Sequence, residues 1–140
     1  MIFIGIDTGT HTGFAVWDSS QLAFVSCDTL LIHEAMQKVD YLADYYGKTN
    51  IIVYYEDARL RRWYGPRADL KQQGAGSVKR DCAIWEDFLK NREIEAHPVA
   101  PKNNKTKLTA EQFKALSKYP GRTTEHSRDA GMLVLGRMCR

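Results

Sequence analysis

Three places in this chain put a carboxylate where a hydrophobic core disfavours one. Asp7 sits inside the apolar run that opens "FIGIDTGTHTGFAVWD", residues Phe3 to Asp18. Glu56 closes the β-branched and aromatic stretch "IIVYYE". Asp129 lies in "EHSRDAGMLVL", with His126 three residues earlier, a spacing that shares one helix face. Buried carboxylates are costly unless they are neutralised, paired or bound to cations. Oxygen ligands from Asp and Glu suit Mg²⁺ or Mn²⁺, and two such ions about 4 Å apart activate a water and stabilise the leaving oxygen in phosphodiester cleavage. Taken singly, each acid has a plainer use. Asp7 can cap the turn at Thr8 to Thr10, Glu56 can pair with Arg59 or Arg61, and His126 and Asp129 can sit on the wet side of a helix.

The basic residues are concentrated rather than spread. Between Arg59 and Arg80 there are seven (Arg59, Arg61, Arg62, Arg67, Lys71, Lys79 and Arg80) against one acid, Asp69. Trp63, Tyr64 and three glycines are interleaved with them, and Lys102, Lys105 and Lys107 form a second cluster after Pro101. Such a distribution is either a solvated loop or a polyanion contact surface, because phosphate binding is carried by clustered Lys and Arg.

The net charge is +3 and the hydrophobic fraction 44% over 140 residues, which predicts one folded domain, residues 1–140, with one core. No apolar run approaches the roughly 18 residues of a membrane span, and no signal peptide is evident at the N-terminus. Cys27, Cys82 and Cys139 are far apart with no C-x-x-C pair, as expected of reduced thiols in a cytoplasmic protein.

The elements that must position the acids follow from periodicity. Ile2 to Asp7, Phe14 to Asp18 and Leu22 to Asp28 read as three strands of a meander, with Gly9 to Gly13 as the first turn. Leu31 to Tyr46 has apolar residues at helical spacing and Gly47 as its stop. Ile51 to Tyr55 is a buried strand ending at Glu56. The basic, Gly-rich segment reads as a loop or partly ordered arm. Asp81 to Asn91 is a helix with Cys82, Trp85, Phe88 and Leu89 on one side, and Ile94 to Val99 a short strand. Thr109 to Lys118 is a helix with a capping box of Thr109 and Gln112, and the last helix starts near Thr124. The order βββαβαβαα predicts an α/β fold, a mixed sheet of about five strands flanked by helices on both sides.

With these pieces in this order, the sequence resembles the ribonuclease-H-like nucleases, and among them the RuvC type of Holliday junction resolvase, including small phage versions. The resemblance rests on "FIGIDTGTHTGFAVWD", "IIVYYEDARLRRWYG", "GAGSVKRDCAIWEDFL", "EAHPVAPKNNKTKL" and "EHSRDAGMLVL" in sequence, and covers nearly the whole chain. It implies that Asp7 bridges two metal ions (Mg²⁺ or Mn²⁺, two per active site), that Glu56 holds one, and that His126 and Asp129 complete the site. Glu125 takes the place of His126 if the helix register shifts by one. Lys105 matches a family lysine near the scissile phosphate, with Lys107 its neighbour. Trp63 or Tyr64 would probe the junction centre. The implied protein is a homodimer acting on four-way DNA in a bacterial cell or phage-infected host, cutting symmetric strands to leave 5′-phosphates. The helix from Asp81 would then supply Trp85 and Phe88 either to the dimer interface or to the core.

Three other functions compete. A ribonuclease-H-like nuclease on flaps, RNA–DNA hybrids or structured RNA would carry the same acids. An actin-like kinase or ATPase also opens with a strand and a "GIDTGT"-like phosphate turn, but it needs two such domains, and no second Gly-rich phosphate turn follows a strand here, so no nucleotide cofactor is expected. A non-catalytic nucleic-acid-binding module would be favoured by loss of an acid position, and all are filled, one by His.

Overall fold

The computed structural model describes residues 1–61, 68–104 and 107–139, with the side chains of all of these except 68–75. Its strands are β1 (Ile2–Asp7), β2 (His11–Asp18), β3 (Ala23–Leu31), β4 (Ile51–Glu56) and β5 (Glu95–Val99). Its helices are α1 (Ile32–Tyr46), α2 (Ala68–Asn91), α3 (Ala110–Ser117) and α4 (Glu125–Val134). The five strands form one mixed sheet in the order β3-β2-β1-β4-β5. β2 runs antiparallel to both of its neighbours, β1 and β3, while β4 lies parallel to β1 and β5 parallel to β4. This is the expected α/β architecture with the expected element order.

Strand alternation sorts side chains between two cores. Ile2, Ile4 and Ile6 of β1 join Ile51, Val53 and Tyr55 of β4 in one core, covered by Ala35, Val39 and Leu42 of α1 and by Trp85 and Leu89 of α2. The opposite face carries Phe3, Ala15 and Trp17, covered by Phe113 of α3 and by Ala130, Leu133 and Val134 of α4. Trp85 is fully buried within the chain, so it is a core residue rather than part of an interface, and Phe88 packs on the same core.

Helix α4 lies directly on the sheet because two glycines admit it. A Cβ on Gly5 would stand 2.1 Å from the Ala130 carbonyl oxygen, and one on Gly13 would stand 2.0 Å from that of His126. Both are far inside van der Waals contact, so a side chain at either position would force the helix away. The two carbonyls are one helical turn apart. α4 is started by Thr124, whose Oγ1 accepts from the Ser127 backbone at 3.1 Å. α3 is started by Thr109, with Gln112 returning the bond as its sequence predicts.

The fold corrects the sequence expectations in two places. The basic segment does not stay a loop up to Arg80, because α2 already begins at Ala68 and runs for 24 residues. Its second half packs on the sheet, and elongating an anchored helix costs little per residue, so Gly74 and Gly76 are outweighed by the Ala, Leu, Lys and Gln around them. β2 also begins earlier than expected, at His11, because residues 11–13 pair with Thr29 to Leu31 of a β3 that is longer than its alternation suggests. The turn is confined to Thr8–Thr10 and is closed by Thr12 Oγ1 donating to the Gly9 carbonyl at 2.8 Å.

Candidate active site

The same alternation that puts Ile2, Ile4 and Ile6 under α1 turns Phe3, Gly5 and Asp7 toward α4. In β4, Ile52, Tyr54 and Glu56 share that face. The two strands are parallel and in register through Ile6 and Tyr55, and Asp7 and Glu56 are the next residue of each. Both acids therefore stand at the carboxyl ends of adjacent parallel strands, where open α/β sheets place their ligands. Thr8 ties the two ends together: its Oγ1 donates to the Glu56 carbonyl at 3.0 Å and lies 3.3 Å from Cys82 Sγ of α2.

Helix α4 supplies the third side. His126 Nδ1 lies 3.0 Å from Asp7 Oδ2. The Asp7 side chain is only 14% exposed, whereas that of His126 is 51% exposed. Burial pushes the Asp7 carboxyl up to about 6, against the His126 hydrogen bond, and the negative charges of Glu56 and Asp129 push the same way as burial. The Asp129 carboxyl is also raised, first by burial and then by Glu125, although the Lys107 backbone N–H donates to its Oδ1 at 3.2 Å. Asp7, Glu56, His126 and Asp129 thus gather at the carboxyl ends of the inner strands β1 and β4. Asp7 faces His126 rather than capping its own turn. Glu125 is exposed, and it is His126, not Glu125, that reaches Asp7.

The donor set suits a hard divalent cation in kind: carboxylate oxygens and one imidazole, with an acid held above its usual range by burial and by its neighbours' charge. Among the described residues, no group of three or more His, Cys, Asp and Glu side chains stands ready to hold an ion.

Only some of the residues predicted for a nucleic-acid surface fall among the described side chains. Arg61, Arg80, Lys102 and Lys107 are exposed and Lys79 is half-buried. Arg59 is not paired with Glu56. Its guanidinium is bound to Asp57, with Nη2 at 2.7 Å from Oδ2, and to Glu86 of α2 at 2.6 Å. Arg62, Trp63, Tyr64, Arg67 and Lys105 lie outside the described residues, as does the side chain of Lys71. Sequence reasoning missed Asn104. This buried residue donates through Nδ2 to Glu56 Oε2 at 3.0 Å and to the Asp129 carbonyl at 3.1 Å. Its only sequence signal is its place among the lysines after Pro101.

Among solved structures, the chain is similar to "T. thermophilus RuvC in complex with Holliday junction substrate", with a TM-score of 0.58 over 96% of this chain and 90% of that one, at 14% identity. At that identity the likeness is one of fold, and the mixed sheet with its flanking helices is the ribonuclease-H-like fold of RuvC. No protein-family model and no curated protein matches the chain. Among the described residues, no helix is long and apolar enough to cross a membrane.

Proposed function

We propose that this chain is a metal-dependent endonuclease that resolves four-way DNA junctions by paired, symmetric phosphodiester hydrolysis. The observation that carries this reading is the meeting of Asp7 and Glu56, at the ends of adjacent parallel strands, with the His126–Asp129 face of α4. The RuvC neighbour, solved with a Holliday junction, supports the choice of substrate. Asp7, Glu56, His126 and Asp129 would hold Mg²⁺ or Mn²⁺, two per site, which when bound supplies a nucleophilic water at neutral pH and charge neutralisation at the phosphate.

The chain's own residues have separate tasks. Asp7, partly stripped of water, keeps a concentrated negative charge that only a cation or a proton relieves. His126 is fixed against Asp7 through Nδ1, with about half of its side chain exposed. Lys105 would stabilise charge on the reacting phosphate. Arg61, Arg62, Arg67, Lys71, Lys79, Arg80, Lys102 and Lys107 would carry the DNA backbone, and Trp63 or Tyr64 would stack at the junction centre. Arg59, committed to Asp57 and Glu86, would act by bracing the segment after β4. Two such subunits in a homodimer would cut the two symmetric strands.

The test is cleavage of a labelled four-way junction with Mg²⁺ and separately Mn²⁺, beside linear duplex, single strand and RNA–DNA hybrid, with Asp7→Asn in parallel. Paired symmetric nicks in the junction alone, absent from the variant, are expected. Cutting of another substrate, still lost in the variant, keeps the chemistry and replaces the substrate. Junction binding without cutting by the wild type overturns the nuclease reading.

A further inference from the structure

Asn104 occupies an unusual position for a neutral side chain. It is 7% exposed and sits in the connection between β5 and α3, belonging to neither strand nor helix of the acidic cluster. Its amide nitrogen has two protons and both are used. One goes to Glu56 Oε2 at the end of β4, the other to the backbone carbonyl of Asp129 in α4. One NH₂ group thus links the two elements that carry Glu56 and Asp129. The same connection grips α4 a second time, from Lys107, whose φ of 66° lies in the left-handed region and whose N–H donates to Asp129 Oδ1.

The other half of the amide shows what the residue is for. Asn104 Oδ1 is buried and has no hydrogen-bond partner among the described residues. An orphaned buried acceptor is costly, and an isosteric leucine would avoid that cost. What favours an amide here is therefore the paired donor. The choice of a neutral donor also matters chemically. A lysine or arginine at this place would fix Glu56 equally well but would cancel its charge and compete with a cation. An amide orients the carboxylate and leaves its charge intact. Glu56 Oε2 is thus held to the protein by a neutral donor.

We propose that Asn104 is a positioning residue that sets the Glu56 carboxylate against helix α4 and thereby sets the affinity of the acidic cluster for a divalent cation. This rests on the metal-nuclease reading of the same cluster. Outer partners that orient metal ligands typically change metal affinity or activity by about 10–100-fold when removed.

The test is titration calorimetry of the DNA-free protein with Mn²⁺, for wild type, Asn104→Leu, Glu56→Ala and the double variant, with melting temperatures alongside. Asn104→Leu is expected to weaken Mn²⁺ binding by roughly tenfold or more, and to add nothing in the Glu56→Ala background. The Mn²⁺ concentration for half-maximal junction cleavage should rise by the same factor. Should Asn104→Leu not fold, Asn104→Ser is measured in the same way. A variant that melts lower yet binds Mn²⁺ as the wild type does makes Asn104 a packing residue and overturns the proposal alone. A wild-type chain that binds no Mn²⁺ overturns the metal reading itself.

Discussion

Gly13 lies directly beneath the backbone of His126. A Cβ on it would meet the His126 carbonyl oxygen at 2.0 Å and the Asp7 Cβ at 3.0 Å. Gly13 is also the cross-strand partner of Asp7. The absence of a side chain on β2 is therefore what lets α4 descend far enough for His126 to reach Asp7.

Gly13→Ala is expected to lift the first turn of α4 from the sheet at a cost of about 1–3 kcal/mol, the usual range for overpacking. Activity should fall further than stability, because the displaced turn carries His126. Cleavage assays at a temperature where the variant is folded check this. Wild-type activity in a folded Gly13→Ala chain would show that the close approach is not needed.

Asp7→Asn should stabilise the metal-free protein at neutral pH. The folded-state carboxyl is raised from 3.8 to about 6, so the advantage of its neutral form is complete below about 4 and is lost as pH rises to about 6. Above that, the wild type bears a cost of about 2–3 kcal/mol that an asparagine avoids. Melting in chelator should show the variant higher at pH 7 to 8 and the two alike near pH 4. Added Mg²⁺ or Mn²⁺ should raise the wild type and leave the variant in place. A variant that melts lower than wild type at pH 8 in chelator contradicts the electrostatic account.

Arg59→Ala should be among the most damaging substitutions outside the cluster. Burial alone would raise the Asp57 carboxyl, yet the hydrogen bonds and charge of Arg59 hold it below its usual value. The Asp57 side chain is 3% exposed, so removing Arg59 strands a buried charge at a cost of roughly 3 kcal/mol. Because the folded pKa is depressed, this contribution is present above about 4 and fades as pH falls below it. Denaturant melts at pH 7 and pH 3 check this: the gap between wild type and variant should be wide at the first and narrow at the second.

Gly76→Ala should act in the opposite direction. Gly76 lies within α2 and is exposed, and a Cβ there would meet no described atom within 4 Å beyond its chain neighbours and its own helix backbone. Replacing a helical glycine with alanine in open space is worth about 0.5–1 kcal/mol of stability. An unchanged or lower melting temperature would mean that this stretch is not helical in solution.

Much of the site is written locally. Alternation along "IFIGID" and "IIVYYE" decides by itself that Asp7 and Glu56 share faces with Phe3 and Ile52, and that each ends its strand. The capping residues Thr109 and Thr124 and the three-residue spacing of His126 and Asp129 are equally local, because they depend on periods of two and 3.6 residues and on side chains bonding a few positions away. What the sequence left undecided depends on contacts between distant segments. That Arg59 turns to Asp57 and Glu86, that Trp85 closes a core, and that α2 persists through its glycines are consequences of packing on a sheet, which no local window contains. Asn104 is the clearest case. It lies 48 positions from Glu56 and 25 from Asp129, and only the stacking of β4, α4 and the β5–α3 connection brings its one amide within reach of both.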